Sequence, residues 1–185
     1  MPLEIPPLLA AARYEHGFDI NAALLEVVAR LRDASIVVGG VLQEIAARGP
    51  ECCASLNVVD ILSGERARIT QDRGKEARGC KLDARGLASI AHLISDAIDA
   101  GVDLIVINRF GRAESEGGGL LSCISDAVCA GIPVLTAVRD PYIVPWRQFH
   151  GGLATELSPR VESILEWCKT SCRRVSGIVS TASLS

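Results

Sequence analysis

The residues best suited to chemistry follow a short apolar run at residues 104–107, which leads directly into a polar, glycine-rich stretch. The stretch from 108 to 119 contains two arginines and two glutamates among its glycines. A buried parallel strand delivers such a loop to the edge of a sheet, where α/β proteins bind their ligands. The stretch therefore predicts a binding site. Its predicted ligand-binding residues are Asn108, Arg109, Gly111 and Arg112.

Two further loops follow predicted strands and carry more basic groups, at residues 14–19 and 139–150. Helix N-termini at such a sheet edge aim backbone N–H groups outward and favour negative charge. The loops add His16, Gly17, Arg139, Arg147 and His150 to the predicted site. We interpret the set as a local binding edge for a small anion. The alternative, that these are solvated loop arginines, is also open at this point.

The N-terminal strand, loop and helix invite comparison with a phosphate loop, which requires the pattern G-x-x-x-x-G-K-[ST]. Gly17 is present, but the four residues after it, 18–21, contain no lysine, serine or threonine. An acidic residue that would organise Mg²⁺ after the central strand is also missing, since Asn108 and Arg109 stand there. The sequence thus predicts the strand, loop and helix of a phosphate-binding scaffold, but it lacks the lysine and the acidic residue that efficient hydrolysis of nucleoside triphosphates requires.

The two glutamates of the central stretch, Glu114 and Glu116, are the candidate catalytic residues if a triphosphatase activity exists. They would orient water, or hold a cation, or pair with Arg109 and Arg112. Oxygen-ligand metal sites usually need more than two carboxylates, so ion pairing is favoured and no metal site is predicted.

Cysteine usage indicates a reducing cytosol, because the seven cysteines are an odd number and match no paired zinc-knuckle spacing. Cys80 lies beside Arg78 and Lys81, whose positive charge favours the thiolate. It is the candidate reactive thiol.

Composition and charge narrow the fold and the partners. The 185 residues suffice for one domain, and seven aromatic residues leave a mainly aliphatic core. This predicts an α/β fold with a mostly parallel sheet and helices on both faces. The net charge of -3 gives no general attraction to nucleic acid, and no apolar run approaches the length of a membrane span. Neither nucleic-acid binding nor membrane insertion is predicted.

Hydrophobic periodicity places the elements that must position these residues. A first strand at 8–13 precedes a helix that Asp19 caps, and a second strand at 35–42 precedes a loop at 43–50. A β-hairpin follows at 56–70, then a polar loop at 71–81, a helix capped by Asp83, a strand, helix and strand over 104–138, and a last helix after Ser158. One domain over 1–172 and a flexible tail over 173–185 are expected.

The chain resembles a bacterial family of proteins of unknown function that is often encoded beside molybdate-transport genes. The resemblance covers residues 10–168 and rests on segments 39–43, 57–66, 103–119 and 133–138, with support from 71–72, 78–83 and 151–157. That family is distantly similar to small P-loop nucleoside triphosphatases in which a hairpin also follows the second strand. The resemblance implies a P-loop-like fold with a degenerate phosphate loop and a link to molybdenum.

The leading hypothesis is a cytosolic anion-binding protein whose ligand is molybdate, tungstate or a nucleotide with Mg²⁺. Two alternatives stay open: a weak Mg²⁺-dependent nucleoside triphosphatase, and a non-catalytic assembly or regulatory subunit. A homo-oligomer is compatible with each.

Overall fold

The computed structural model describes residues 7–45, 56–68 and 84–182, and in these residues the chain forms seven strands and six helices. The strands are β1 (Leu9–Arg13), β2 (Val38–Ile45), β3 (Leu56–Asp60), β4 (Arg66–Arg68), β5 (Leu104–Ile107), β6 (Val134–Val138) and β7 (Ala154–Leu157). The helices are α1 (Ile20–Asp33), α2 (Ala84–Asp99), α3 (Arg112–Ser115), α4 (Leu121–Cys129), α5 (Ile143–His150) and α6 (Val161–Ala182).

All seven strands belong to one sheet, in the order β4-β3-β2-β5-β6-β1-β7. The five strands from β2 to β7 in this order are parallel, and β3 and β4 add to them as an antiparallel hairpin. The predicted mostly parallel sheet with an inserted hairpin is confirmed. Because β5, β6 and β1 are neighbours, their carboxyl ends lie side by side at one edge of the sheet.

The sheet separates two apolar layers, and alternate residues of each strand face opposite layers. On β1, Leu9 and Ala11 pack with buried residues of α2, α4 and α5. Ala10 and Ala12 face the other side, where buried residues of α1 and α6 cover the sheet. The three consecutive alanines of β1 are fully buried. Helices on both faces are therefore confirmed.

Glycine brings two central strands into very close contact. Gly40 of β2 has φ +100°, and a Cβ atom built on it would lie 2.1 Å from the carbonyl oxygen of Val106 in β5. Any side chain at this position must push β2 away from β5 or change the backbone. The pairing that carries the central polar loop thus depends on a residue without a side chain.

The structure corrects three of the predicted element boundaries. Residues 43–45 were predicted to be loop, but β2 continues to Ile45 because its backbone pairs with β3 as far as Leu56. The segment 154–157 forms β7, which the sequence did not predict, because pairing with β1 stabilises it. The last helix continues to Ala182, ten residues beyond the predicted boundary at 172, since extending a formed helix costs little, and the flexibility of residues 173–185 stays a prediction. The predicted loop at 71–81 and the Asp83 cap lie outside the described residues.

We expect Gly40→Ala to destabilise the protein strongly, because it combines a left-handed backbone with a steric overlap. Gly101→Ala is the matched control: Gly101 has φ +67° and open space around its Cβ position. The control should cost about 1–2 kcal/mol for the backbone alone, and Gly40→Ala about 1–3 kcal/mol more. Urea unfolding of both variants measures the difference, and equal losses would contradict the close approach of β2 and β5.

Candidate functional site

Two adjoining cavities open at the carboxyl edge of the sheet. The larger, of about 600 Å³, lies among the ends of β2 and β5, helix α2 and helix α3. The smaller, of about 320 Å³, lies over the loop at 14–19. Tyr14, Arg109 and Arg139 line both cavities. We refer to these three residues as the arginine junction.

The arginine junction forms because three neighbouring strands end together. Tyr14 follows β1, Arg139 follows β6, and Arg109 follows β5 by two residues. Backbone hydrogen bonds continue the pairing beyond the ends of the strands. The amide of Tyr14 donates to the carbonyl of Val138 at 3.1 Å, and the amide of Phe110 donates to the carbonyl of Ala137 at 2.9 Å. The three side chains are therefore positioned by the sheet itself.

The amide side chain of Gln43 holds Arg109 and Asn108. Its Oε1 accepts a hydrogen bond from Arg109 Nε at 2.9 Å and one from Asn108 Nδ2 at 3.2 Å. Arg109 Nη2 donates to the same oxygen. Because an amide oxygen carries no net charge, Gln43 orients the guanidinium without neutralising it. Sequence reasoning missed Gln43 as a site residue because it was placed in a predicted loop, although it ends a segment that carries the family resemblance.

The four predicted arginines fall into two groups. Arg112 Nε donates to Glu116 at 2.8 Å, and Arg147 Nη2 donates to Glu156 at 2.8 Å. The hydrogen bond to the neighbouring carboxylate raises the pKa of each of these arginines, and the bond from Arg147 lowers the pKa of Glu156. Within the described residues, Arg109 and Arg139 have no carboxylate partner. Their positive charge is thus available to a ligand.

The loop after β1 differs from a phosphate loop in its charge. Asp19 is the N-cap of α1, and its Oδ1 accepts a hydrogen bond from the amide of Ala22 at 3.0 Å. This confirms the predicted cap. A carboxylate already satisfies the helix N-terminus and repels a second anion there. His16 and Gly17 line the smaller cavity beside it. The Asp19 carboxylate therefore makes the N-terminus of α1 less favourable for an anion than the space beside Arg109 and Arg139.

The candidate catalytic glutamates have other roles in the structure. Glu114 accepts two backbone hydrogen bonds, from Gly111 to Oε2 at 2.9 Å and from Leu120 to Oε1 at 3.0 Å. A Cβ at Gly119, whose φ is +61°, would lie 2.0 Å from the same Oε1. Glu114 therefore ties the two ends of the glycine-rich loop together. Glu116 forms the exposed ion pair with Arg112, which confirms that part of the predicted ion pairing.

Two predicted ligand residues, Arg147 and His150, line neither cavity. They lie on α5, which buries Ile143 and Trp146 in the core, and Arg147 reaches Glu156 of β7. His150 packs against Trp146 with ring centroids 5.0 Å apart, and its Nδ1 accepts a hydrogen bond from the amide of Gly152. Neither residue borders the two cavities, and their role as ligand residues stays a prediction. Cys80, the candidate thiol, lies outside the described residues.

A family model for proteins of unknown function, DUF2478, matches residues 9–167. The chain belongs to this family. The match confirms the family resemblance read from the sequence. Among curated proteins, the molybdenum import ATP-binding protein ModC 2 of Bradyrhizobium diazoefficiens is 35% identical over 179 residues, a match that covers 95% of this chain. The chain spans only 20% of the length of that relative.

A similar fold occurs in the solution structure of a human cancer-related nucleoside triphosphatase. The two structures superpose with a TM-score of 0.58 at 13% sequence identity, over 95% of this chain and 97% of the human one. At this identity the likeness concerns the fold alone. It confirms that this DUF2478 chain shares the α/β fold of that nucleoside triphosphatase.

Two other features are absent from the part of this DUF2478 chain that the structure describes. There, no group of three or more His, Cys, Asp and Glu side chains is placed to hold a metal ion. None of the helices in the described ranges is long and apolar enough to cross a membrane. The distinctive chemistry of the described site is thus two uncompensated guanidinium groups beside two cavities.

We expect Glu114→Gln to destabilise the fold more than Glu116→Gln. The first change removes a charged acceptor of two backbone hydrogen bonds, which is worth about 1–3 kcal/mol. The second removes an exposed ion pair, worth less than about 1 kcal/mol. Urea unfolding gives both values. Equal stabilities would contradict the structural role of Glu114.

His150 should make stability fall in mildly acidic solution. Burial lowers its pKa below the ordinary value of 6.5, an effect that Arg147 reinforces and Glu156 opposes. The unfolded chain then binds more protons than the folded chain below about pH 7, so stability decreases as pH falls through the unfolded pKa toward the folded one. We expect the stability advantage of the wild type over His150→Gln to shrink between pH 7.5 and 5 in thermal unfolding. An advantage that grows over this range would refute the assignment.

Proposed function

We propose that this domain binds a small anion, either an oxyanion or the phosphate of a nucleotide, at the arginine junction and does not hydrolyse nucleoside triphosphates efficiently. The observation that carries the proposal is the placement of Arg109 and Arg139. Both line both cavities, and neither has a carboxylate partner within the described residues. Guanidinium groups bind phosphate-like oxyanions through two parallel hydrogen bonds, so a pair of them suits a tetrahedral dianion.

Two buried polar residues support the same location. Asn108 and Tyr14 are 7% and 6% exposed. Within the described part of the chain, Asn108 Oδ1 and the Tyr14 hydroxyl have no hydrogen-bond partner. Buried polar atoms normally have partners in the protein, in ordered water or in a ligand. A bound anion with its water would supply them, and His16 and Gly17 border the same space.

The residues around the junction favour binding over turnover. The loop at 14–19 holds no lysine, serine or threonine, and its Asp19 carboxylate caps α1. Glu114 and Glu116 accept hydrogen bonds from the loop backbone and from Arg112, so neither is an uncommitted base. These contacts weaken the alternative of a Mg²⁺-dependent triphosphatase.

The relative named as a molybdenum import ATP-binding protein supports two ligand classes for this chain. The first is molybdate or tungstate, in a cytosolic role in molybdenum handling. The second is a nucleotide with Mg²⁺. Both present tetrahedral oxyanions to Arg109 and Arg139, so the shared chemistry is the same.

A regulatory or assembly subunit is the second candidate function. It is supported by the match to one fifth of a longer import protein, which indicates that this domain works beside other parts of that relative. In this function the pocket supports the fold, and a homo-oligomer or a partner complex is the functional state. Arg109→Ala would then leave ligand binding unchanged and disturb the assembly.

Calorimetric titration with molybdate, tungstate, sulfate and ATP, the last with and without Mg²⁺, tests the proposal. We expect one of these anions to bind, and Arg109→Ala or Arg139→Ala to weaken it about tenfold or more, as expected for loss of a charged hydrogen bond. Arg147→Ala is the matched control, since Arg147 lines neither cavity, and it should change affinity less than about twofold. The absence of heat from every anion at millimolar concentration would remove the proposal.

A further inference from the structure

The larger cavity is too big for an oxyanion alone. Its volume is about 600 Å³, and its lining includes residues of β2, β3, α2 and β5. Cavities of about 300–1,000 Å³ are the size that holds organic ligands and cofactors. A tetrahedral oxyanion at the arginine junction would leave most of this cavity to other atoms.

The lining of the larger cavity changes character across β5. Toward β6 and β1 lie Arg139 and Tyr14, and at the end of β5 lie Arg109 and Asn108, which donate hydrogen bonds to Gln43 of β2. On the opposite side of β5 lie β2, β3 and helix α2, which contribute a mainly apolar wall of Val41, Val58, Leu87 and Ile90. Placing a small hydrated ion against this wall would cost solvation energy without any compensating contact. An apolar or flat group would instead be stabilised there.

We infer that the ligand is an organic anion of the size of a nucleoside monophosphate, whose anionic group contacts Arg109 and Arg139 and whose ring lies against the apolar wall. This inference rests on the proposed function and narrows its ligand class. It places the ring on the β2 and α2 side, away from the N-terminus of α1 that Asp19 caps. Asn108 lines the same cavity, and its Oδ1, which has no partner within the described residues, accepts a hydrogen bond from the ring or its sugar.

Competing probes separate the anionic group from the ring. We would titrate the full chain with inorganic phosphate, ribose 5-phosphate, AMP, GMP, CMP and UMP. The expected result is that at least one nucleoside monophosphate binds about tenfold or more tightly than both phosphate and ribose 5-phosphate, because only it reaches the apolar wall. Arg139→Ala should weaken every anion that binds.

Leu87→Trp tests the apolar wall, because Leu87 is half-buried on α2 and lines the larger cavity. It should weaken the nucleoside monophosphate about tenfold and leave phosphate affinity within about twofold. Leu93→Trp is the matched control, since Leu93 is also half-buried on α2 and lines neither cavity. Leu87→Gln is the second variant if the larger ring prevents folding, and it should weaken the same ligand by making the wall polar.

The outcomes distinguish this inference from the proposed function. Equal affinities for phosphate and all the organic phosphates, with no effect of either Leu87 variant, would overturn the inference and leave anion binding at the arginine junction intact. Absence of binding by every anion would overturn both. Nucleotide binding that is sensitive to Leu93→Trp but not to Leu87→Trp would also overturn the inference, since the ring would lie elsewhere.

Discussion

The parallel pairing of β1, β6 and β5 is the constraint on which the site depends. Its register joins Arg13 to Val138 across β1 and β6, and Val106 to Leu135 across β6 and β5. Adjacent strands lie about 4.8 Å apart, so the residues that directly follow neighbouring strands lie close together, even when they carry the same charge. Two arginines are thereby held at one edge, where like charges repel. An anion between them relieves that repulsion, which links the geometry of the sheet to the chemistry of the site.

Charge compensation decides which polar residues remain available. Arg112 and Arg147 each contact a glutamate, so their charges are neutralised locally. Within the described residues, the guanidinium of Arg109 donates hydrogen bonds only to the uncharged amide oxygen of Gln43. Glu114 is taken up by the backbone of its own loop. The stretch from 109 to 116 thus contains an arginine without a carboxylate partner in the described residues, an arginine paired with a glutamate, and a glutamate that holds the loop backbone.

The fold of this DUF2478 domain resembles that of a nucleoside triphosphatase. At the start of the first helix, however, its charge is opposite to that of a phosphate loop, which carries a lysine there. Asp19 places a negative charge at the N-terminus of α1. The positive charges lie instead on Arg109 and Arg139, which follow the carboxyl ends of β5 and β6. Fold likeness alone therefore does not transfer a mechanism. The sheet places both cavities at its carboxyl edge, whereas individual side chains set the charge that surrounds them. In the proposal that an organic anion binds here, the apolar wall formed by β2, β3 and α2 accommodates the ring of that ligand.

Much of the fold was determined by local sequence. The apolar runs of β1, β5 and β6, the Asp19 cap and the turn of the hairpin each follow from neighbouring residues, so their places could be predicted. The missing phosphate-loop lysine and the presence of Arg109 and Arg139 at strand ends were equally readable. Strand β7 could not be predicted, because β1 stabilises its four residues. The contact between Gln43 and Arg109 joins residues 66 positions apart, and that between Arg147 and Glu156 depends on how α5 packs over β7. The ion pair of Arg112 with Glu116 is local, because the two residues lie four apart in the chain. Only the tertiary structure decided the surroundings of Arg109 and Arg147, because Gln43 reaches Arg109 through the pairing of β2 with β5, and Glu156 meets Arg147 where β7 comes beside α5.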